Sequence, residues 1–274
     1  MSNLFKTLLS LIVAIGATML SPLSTNAASI ELTTAIKTSF DATVSAADGK
    51  TSDKLKPLYT ELTTLLAQDL DLESQIKTLH YRSEETLISL RKAISNVGKD
   101  KQKKLEQQVT DAKAKYKPLF NNYTLLKKQL ATAKAVKNKT LTSVLNVQAE
   151  AMKLLVTLAK NEIKQLEANL KKAKSENSAV VKGLRVMLAE IDPIKVQIKS
   201  QRSAAGLPRK SQPTVWSNFK YAIKNTEPKS TLDALSTLVT LTQQINTKQK
   251  KILELENKIN DIIVKTKTEL SKTS

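Results

Sequence analysis

The sequence predicts an all-α protein, built as an elongated antiparallel coiled-coil or helical bundle of long helices. Two observations lead to this prediction. The 274 residues include only five glycines and seven prolines, so the residues that interrupt helices are rare. Apolar residues also recur with alternating spacings of three and four, which is the period of a coiled-coil seam. Long helices that fold back on one another satisfy both observations.

The first 27 residues have the layout of a secretory signal peptide. Residues 8–20 form an apolar run, and the small residues Thr25 and Ala27 occupy the −3 and −1 positions of a predicted cut after Ala27. A run of 13 residues is short for a membrane span, although an uncleaved N-terminal anchor is the alternative. The sequence therefore predicts an extracytoplasmic protein whose mature chain, residues 28–274, forms a single elongated bundle.

The chain contains no cysteine. This excludes disulfides, a cysteine-linked lipid anchor and every cysteine-based metal site. An exported protein of this kind is held together by packing alone. Of the 44 basic residues, 39 are lysine, and this lysine-rich, cysteine-free composition favours a bacterial origin.

The clearest seam extends from Leu145 to Ile194. Fourteen of its fifteen positions are apolar, which predicts a coiled-coil helix. The exception, Asn177, falls at an a position, where a buried amide would fix the register at some cost in stability. One series, at intervals of seven, is Leu145, Met152, Ala159, Leu166, Ala173, Val180, Met187 and Ile194; its companion is Ala149, Val156, Ile163, Leu170, Asn177, Leu184 and Ile191.

Two further segments, residues 55–97 and 238–262, show weaker seams of the same kind. Between the seams, turn-forming residues predict where helices end. Ser230 followed by Asp233 resembles a capping box that opens the last helix. The predicted breaks are Asp48-Gly49, Gly98, Pro118, residues 204–213 and Pro228.

Residues 204–221 differ in composition from the rest of the chain. They contain the single tryptophan, and residues 204–213 contain one glycine and two prolines, which predict a turn. Two interpretations of the segment are open. Trp216 and Phe219 either cover the end of the bundle, or join Arg209, Lys210 and Lys220 in an aromatic and basic contact for sugars or bases. The first interpretation is favoured.

The sequence does not support catalysis. His80 is the only histidine, so no histidine pair can hold a metal within one chain, and a histidine on the rim of the bundle is the simpler interpretation. Neither a glycine-rich phosphate loop nor a nucleophile elbow occurs. We therefore expect a protein that is not an enzyme and has no cofactor.

Charge is the strongest functional signal. Residues 99–139 hold 12 lysines against Asp100, Glu106 and Asp111, a net charge of +9, whereas residues 28–98 have a net charge of −2. Such a field attracts polyanions, and lysine favours diffuse attraction over stereospecific recognition, so no specific nucleic-acid recognition is expected. The predicted polyanion-binding residues are Lys99, Lys101, Lys103, Lys104, Lys113, Lys115 and Lys117. The alternative is that these lysines only keep a long helical protein soluble.

Three functions are consistent with these features. The first is a secreted, non-enzymatic scaffold or spacer that associates electrostatically with anionic envelope or matrix polymers or with a membrane surface. The second is a membrane-acting component similar to a pore-forming toxin, for which residues 151–159 are the best apolar candidate, although they also fit the seam. The third is an extracytoplasmic chaperone that grips a protein client. Self-association through the seams is compatible with each of them.

Overall fold

A computed structural model describes residues 30–273, so the predicted signal peptide and the cut after Ala27 lie outside the described residues. Six α-helices and no strand occur in this part of the chain. This confirms the prediction of an all-α bundle of long helices. The helices are α1 (Thr34–Ser45), α2 (Gly49–Asn96), α3 (Lys99–Ala135), α4 (Lys139–Ala189), α5 (Ile191–Lys224) and α6 (Pro228–Ser271).

Residue contacts divide the described chain into two compact units, where the sequence predicts a single bundle. The first unit comprises residues 30–81 and Pro193–Lys258. The second unit comprises Arg82–Asp192 and residues 259–273. Each unit therefore takes segments from distant parts of the chain.

In the first unit, α5 is antiparallel to both α2 and α6. Gln243 of α6 hydrogen-bonds Glu61 of α2, and further along both helices Glu256 lies beside His80, so α2 and α6 are parallel. Arg209 of α5 hydrogen-bonds Asp69 of α2, and the α5–α6 contacts also proceed in opposite directions. α5 therefore runs back along α2 and α6, as expected for long helices that fold back on one another.

Aromatic side chains fill the core of the first unit where α1 packs on the longer helices. Phe40 of α1 stacks on Tyr59 of α2, with ring centroids 4.3 Å apart. The Thr43 hydroxyl donates to the Ile223 carbonyl oxygen of α5 across 3.2 Å, which attaches α1 to the end of α5. The other buried side chains of this core include Leu55, Leu62, Trp216, Phe219, Ile223, Leu235 and Leu238.

In the second unit, α3 and α4 form an antiparallel hairpin. The Lys113 ammonium lies 2.6 Å from a Glu167 carboxylate oxygen, and the Lys174 ammonium lies 2.6 Å from a Glu106 carboxylate oxygen. The later residue of α4 thus pairs with the earlier residue of α3. Every one of the fifteen seam positions predicted between residues 145 and 194 is buried or half-buried, so the predicted seam is confirmed. Several buried side chains between the two helices are alanine: Ala112, Ala133, Ala149, Ala159 and Ala173.

Three of the predicted breaks are confirmed. α2 begins at Gly49, and the Asp48 carboxylate accepts hydrogen bonds of 2.9 Å from the Thr51 backbone and hydroxyl. Gly98 separates α2 from α3 with a φ of 66°. α6 begins at Pro228, where a missing N–H costs nothing. The predicted capping box at Ser230 is wrong, because α6 begins at Pro228 and Ser230 already lies inside the helix.

Two of the predicted breaks are wrong. Pro118 lies inside α3, and residues 204–213, with Pro208 and Pro213, lie inside α5. An internal proline removes one backbone hydrogen bond and costs about 3 kcal/mol. In α5 the flanking residues Ala205 and Trp216 are buried, and this packing offsets the cost.

The turn between α3 and α4 has no counterpart among the predicted breaks. Lys137 adopts a positive φ of 55°, and the Asn138 N–H closes the turn on the Ala133 carbonyl oxygen at 3.1 Å. Asn138 then caps α4 by accepting from the Leu141 N–H. The left-handed position after a helix usually holds glycine, and lysine at this position leaves no signal in the sequence.

Candidate functional site

The seven predicted polyanion-binding lysines all lie on α3, and all are exposed. We call them the α3 lysine surface. Lysine favours helix formation, and Asp100 in the first turn of α3 suits the positive end of the helix dipole. From residue 99 to residue 117 the helix extends about 27 Å, at 1.5 Å per residue. The structure therefore brings these lysines together on one rigid element.

The α3 lysine surface covers more than one face of the helix. Lys99, Lys103 and Lys117 share one side by helical periodicity, and Lys104 and Lys115 share another. This distribution suits a flexible anionic chain that wraps a cylinder. It does not suit a flat ligand that needs a single row of cations.

Some of these lysines already have partners. Lys113 pairs with Glu167, and the Lys99 ammonium donates to the Asn96 side-chain oxygen at 3.0 Å. The Lys115 ammonium lies 4.7 Å from the centre of the Tyr116 ring, and its hydrogen bond with Tyr116 raises the pKa of Lys115. The remaining four, Lys101, Lys103, Lys104 and Lys117, form no ion pair within residues 30–273.

The aromatic half of the predicted contact at residues 204–221 belongs to the core. Trp216 is 5% exposed and stacks on the fully buried Phe219, with ring centroids 5.3 Å apart. Rings that are covered by protein on both faces leave no face for a sugar or a base. This burial favours the role of Trp216 and Phe219 as a cover for the bundle core, whereas their role as ligand contacts stays a prediction.

The cations of the same segment have separate surroundings. Arg209 pairs with Asp69 at 3.1 Å and lies 3.9 Å from Glu73. Lys220 lies 5.8 Å from the centre of the Trp216 ring, and Lys210 is exposed. Burial raises the pKa of Asp69, although the Arg209 guanidinium and a hydrogen bond with Gln249 oppose that rise. The Arg209–Asp69 pair joins α5 to α2, whereas Lys210 and Lys220 are exposed on α5.

A polar layer around Glu256 was not predicted from the sequence. The Glu256 side chain is 1% exposed; one of its oxygens lies 3.0 Å from His80 Nδ1 and 3.8 Å from the Arg202 guanidinium. The signal that could have revealed it is the spacing of seven that relates Glu256 to Thr242 and Gln249, which are also buried. All three of these residues are polar, so they do not belong to an apolar seam.

The Glu256 layer offers little access to a substrate. His80 Nε2 and the second Glu256 oxygen are buried, and neither has a hydrogen-bond partner within the described residues. A catalytic acid or base must reach the proton that it transfers. We interpret the layer as a structural feature that sets the register of α2, α5 and α6, because a buried polar group selects one alignment of helices.

Two further findings limit the chemistry of the described chain. Residues 30–273 contain no group of three or more histidine or carboxylate side chains that is placed to hold a metal ion. No helix in the same range has the length and apolar character needed to span a bilayer. Comparisons with protein-family models, with curated proteins and with solved structures gave no match.

Proposed function

We propose that this chain is a non-enzymatic helical protein that is exported and attaches electrostatically to anionic polymers of the cell envelope or matrix, where it acts as a scaffold or spacer. The proposal rests on the exposure of the α3 lysine surface and on the lysines in it that have no ion pair in the described part of the chain. The side chains of this surface are exposed, and four of them, Lys101, Lys103, Lys104 and Lys117, form no ion pair in the described part of the chain. Their charges remain available to an external anion.

The distribution of charge favours attachment over a general solubilising role. Lysines that only maintain solubility have no reason to concentrate in one segment, yet residues 99–139 have a net charge of +9 and residues 28–98 a net charge of −2. Exposed charges separated by more than about 8 Å are screened at physiological ionic strength. Dense lysines on a rigid helix retain their attraction under these conditions.

Binding to a purified anionic wall polymer, such as teichoic acid, tests the proposal across a series of salt concentrations. Displaced counterions should make the affinity fall steeply as salt rises. The variant Lys99→Gln/Lys101→Gln/Lys103→Gln/Lys104→Gln should bind more weakly. Its plot of log affinity against log salt should be flatter by about three to four, since each lysine releases roughly one counterion.

A matched variant distinguishes this surface from net charge. Lys250, Lys258, Lys265 and Lys267 are exposed on α6, and their replacement by glutamine removes the same total charge. This control should retain most of the affinity. An equal loss in both variants would mean that net charge alone drives the attachment, and wild-type affinity in the α3 variant would refute the assignment of the site.

A further inference from the structure

The outer side of α4 carries apolar side chains that no other part of the described chain covers. Val144, Val147, Leu154, Leu155 and Leu158 are 51–70% exposed. We call these five residues the outer stripe. Their spacing places them on a side of α4 that faces away from the seam residues Leu145, Ala149, Met152, Val156 and Ala159, which pack toward α3. This segment of α4 therefore has two apolar faces, one covered by α3 and one free.

The outer stripe is part of a local concentration of exposed apolar residues. Of the sixteen large apolar side chains that are exposed in residues 30–273, eight lie between Leu125 and Leu158. The other eight are scattered over α2, α4, α5 and α6. Single exposed apolar residues are ordinary, but a contiguous patch marks an interaction surface.

The outer stripe lies in a strongly basic segment of the chain. Residues 120–160, which we call the hairpin tip, contain seven lysines and a single acidic residue, Glu150, for a net charge of +6. All seven lysines are exposed. Lys153 and Lys160 lie on the third face of α4, between its seam side and its outer side. A partner for this surface must therefore offer apolar material together with negative charge.

We propose that the hairpin tip docks on an anionic phospholipid bilayer, with the outer stripe inserted at the level of the headgroups and the lysines paired with lipid phosphates. An amphipathic helix with an apolar face and a lysine-rich face binds in the plane of a membrane interface. Lysine stems can lie along the apolar boundary while their ammonium groups reach the phosphates. The outer stripe extends about 21 Å along the helix from Val144 to Leu158, at 1.5 Å per residue, so it offers an extended contact and not a single anchor.

Charge argues against the other candidate occupants. A second copy of the chain could pack its own outer stripe on this one, because spacings of three and four suit helix pairing. Such a pair would bring two hairpin tips of charge +6 together, which like-charge repulsion opposes. A water-soluble polyanion would satisfy the lysines and leave the outer stripe in water. An anionic bilayer satisfies both, and the inference does not depend on the attachment to wall polymer through the α3 lysine surface.

Co-sedimentation of the full chain with vesicles tests the inference. Wild-type protein should bind vesicles that contain phosphatidylglycerol and phosphatidylcholine, and it should bind phosphatidylcholine vesicles weakly. The variant Leu154→Gln/Leu155→Gln/Leu158→Gln should bind the anionic vesicles at least about tenfold more weakly, since it removes most of the apolar surface available for insertion. Glutamine favours helix formation, so circular dichroism and melting should remain close to wild type.

A control variant and a second ligand complete the experiment. Leu70→Gln/Leu207→Gln/Val264→Gln changes three similarly exposed residues on other helices and should leave vesicle binding unchanged. The outer-stripe variant should bind teichoic acid like wild type, which keeps this test separate from the polymer proposal. Full vesicle binding by the outer-stripe variant would overturn the inference. Loss of self-association in that variant, without vesicle binding by wild type, would identify a second copy as the occupant and would also overturn it.

Discussion

The side-chain amide of Asn177 donates a hydrogen bond to the carbonyl oxygen of Gly98 across 3.2 Å. Asn177 lies in the seam of α4, and Gly98 is the residue with positive φ between α2 and α3. A Cβ atom on residue 98 would overlap the Asn177 side chain. The asparagine thus packs against a glycine turn and gives the Gly98 carbonyl oxygen a second hydrogen bond beside the one from the Gln102 N–H, a role that heptad spacing alone does not reveal.

The Asn177→Leu substitution should lower stability. Heptad spacing alone predicts the opposite, because leucine at an a position usually strengthens a coiled coil. In the structure the change removes the Asn177 hydrogen bond to the Gly98 carbonyl oxygen, which then keeps only the bond from the Gln102 N–H. The loss of one such bond costs about 1 kcal/mol. Urea denaturation measures the difference. Ser178→Leu, at the exposed neighbouring position, should have little effect, and a more stable Asn177→Leu protein would contradict the proposed role.

The Gly98→Ala substitution should be destabilising for two reasons that a double-mutant cycle can separate. A left-handed conformation costs a residue with a Cβ about 1–2 kcal/mol, and the added methyl group also meets Asn177. In an Asn177→Ala background only the first cost should remain, so the two changes should not be additive. Gly206→Ala provides the control, because that helical glycine has open space around it and alanine there should stabilise α5.

The Trp216→Ala substitution should reduce the free energy of unfolding by about 3–5 kcal/mol, as expected for the loss of a large buried side chain. The substitution would leave a cavity beside Phe219 in the core of the first unit. Thermal melting measures the loss, and Tyr221→Ala, at an exposed position of the same helix, should change stability by less than about 0.5 kcal/mol. Binding to wall polymer should persist at temperatures where the variant is folded.

Stability should depend on the ionisation of Asp69. Burial raises its pKa above the ordinary value of 3.8, so the folded state binds the proton more tightly than the unfolded state. The contribution of Asp69 to stability should therefore rise as the pH falls through the raised pKa, and it should level off below about 3.8. The difference between wild type and Asp69→Asn, measured by denaturation across this range, isolates the effect.

A second variant examines the cause of the Asp69 shift. The Arg209 guanidinium lowers the pKa of Asp69 and opposes the effect of burial. Arg209→Gln should therefore move the pH-dependent window to higher pH. A window that stays in place would show that the ion pair has no influence on Asp69.

The periodic part of the fold could be predicted from the sequence. The seam of α4 follows from apolar spacing because one face of that helix is buried along its whole length. Gly98 and Pro228 could be placed because their backbone requirements are specific to their residue types. The path through Pro208 and Pro213 could not be predicted, because it depends on the packing of Ala205 and Trp216 against residues that are distant in the sequence.

The candidate surfaces were predictable to different degrees. The α3 lysine surface follows from composition, since lysines on a helix with one packed face remain exposed. The outer stripe does not, because residues 151–159 are apolar on both faces and the sequence does not show whether anything covers the face outside the seam. The predicted seam contains Met152 and Val156 and omits Leu154 and Leu158, and the structure shows that these two leucines are exposed.

The alanines between α3 and α4 affect how the hairpin exchanges its amide hydrogens with water. The small core at the tip consists of Leu126, Ala133, Leu145 and Ala149, and alanine removes little apolar surface from water when it is buried. A weakly buried interface opens locally at a low free-energy cost, while a core with large aromatic side chains remains closed. Deuterium should therefore enter the hairpin tip before it enters the α1 end of the first unit. The segment that carries the outer stripe is thus free to rearrange without unfolding of the aromatic core.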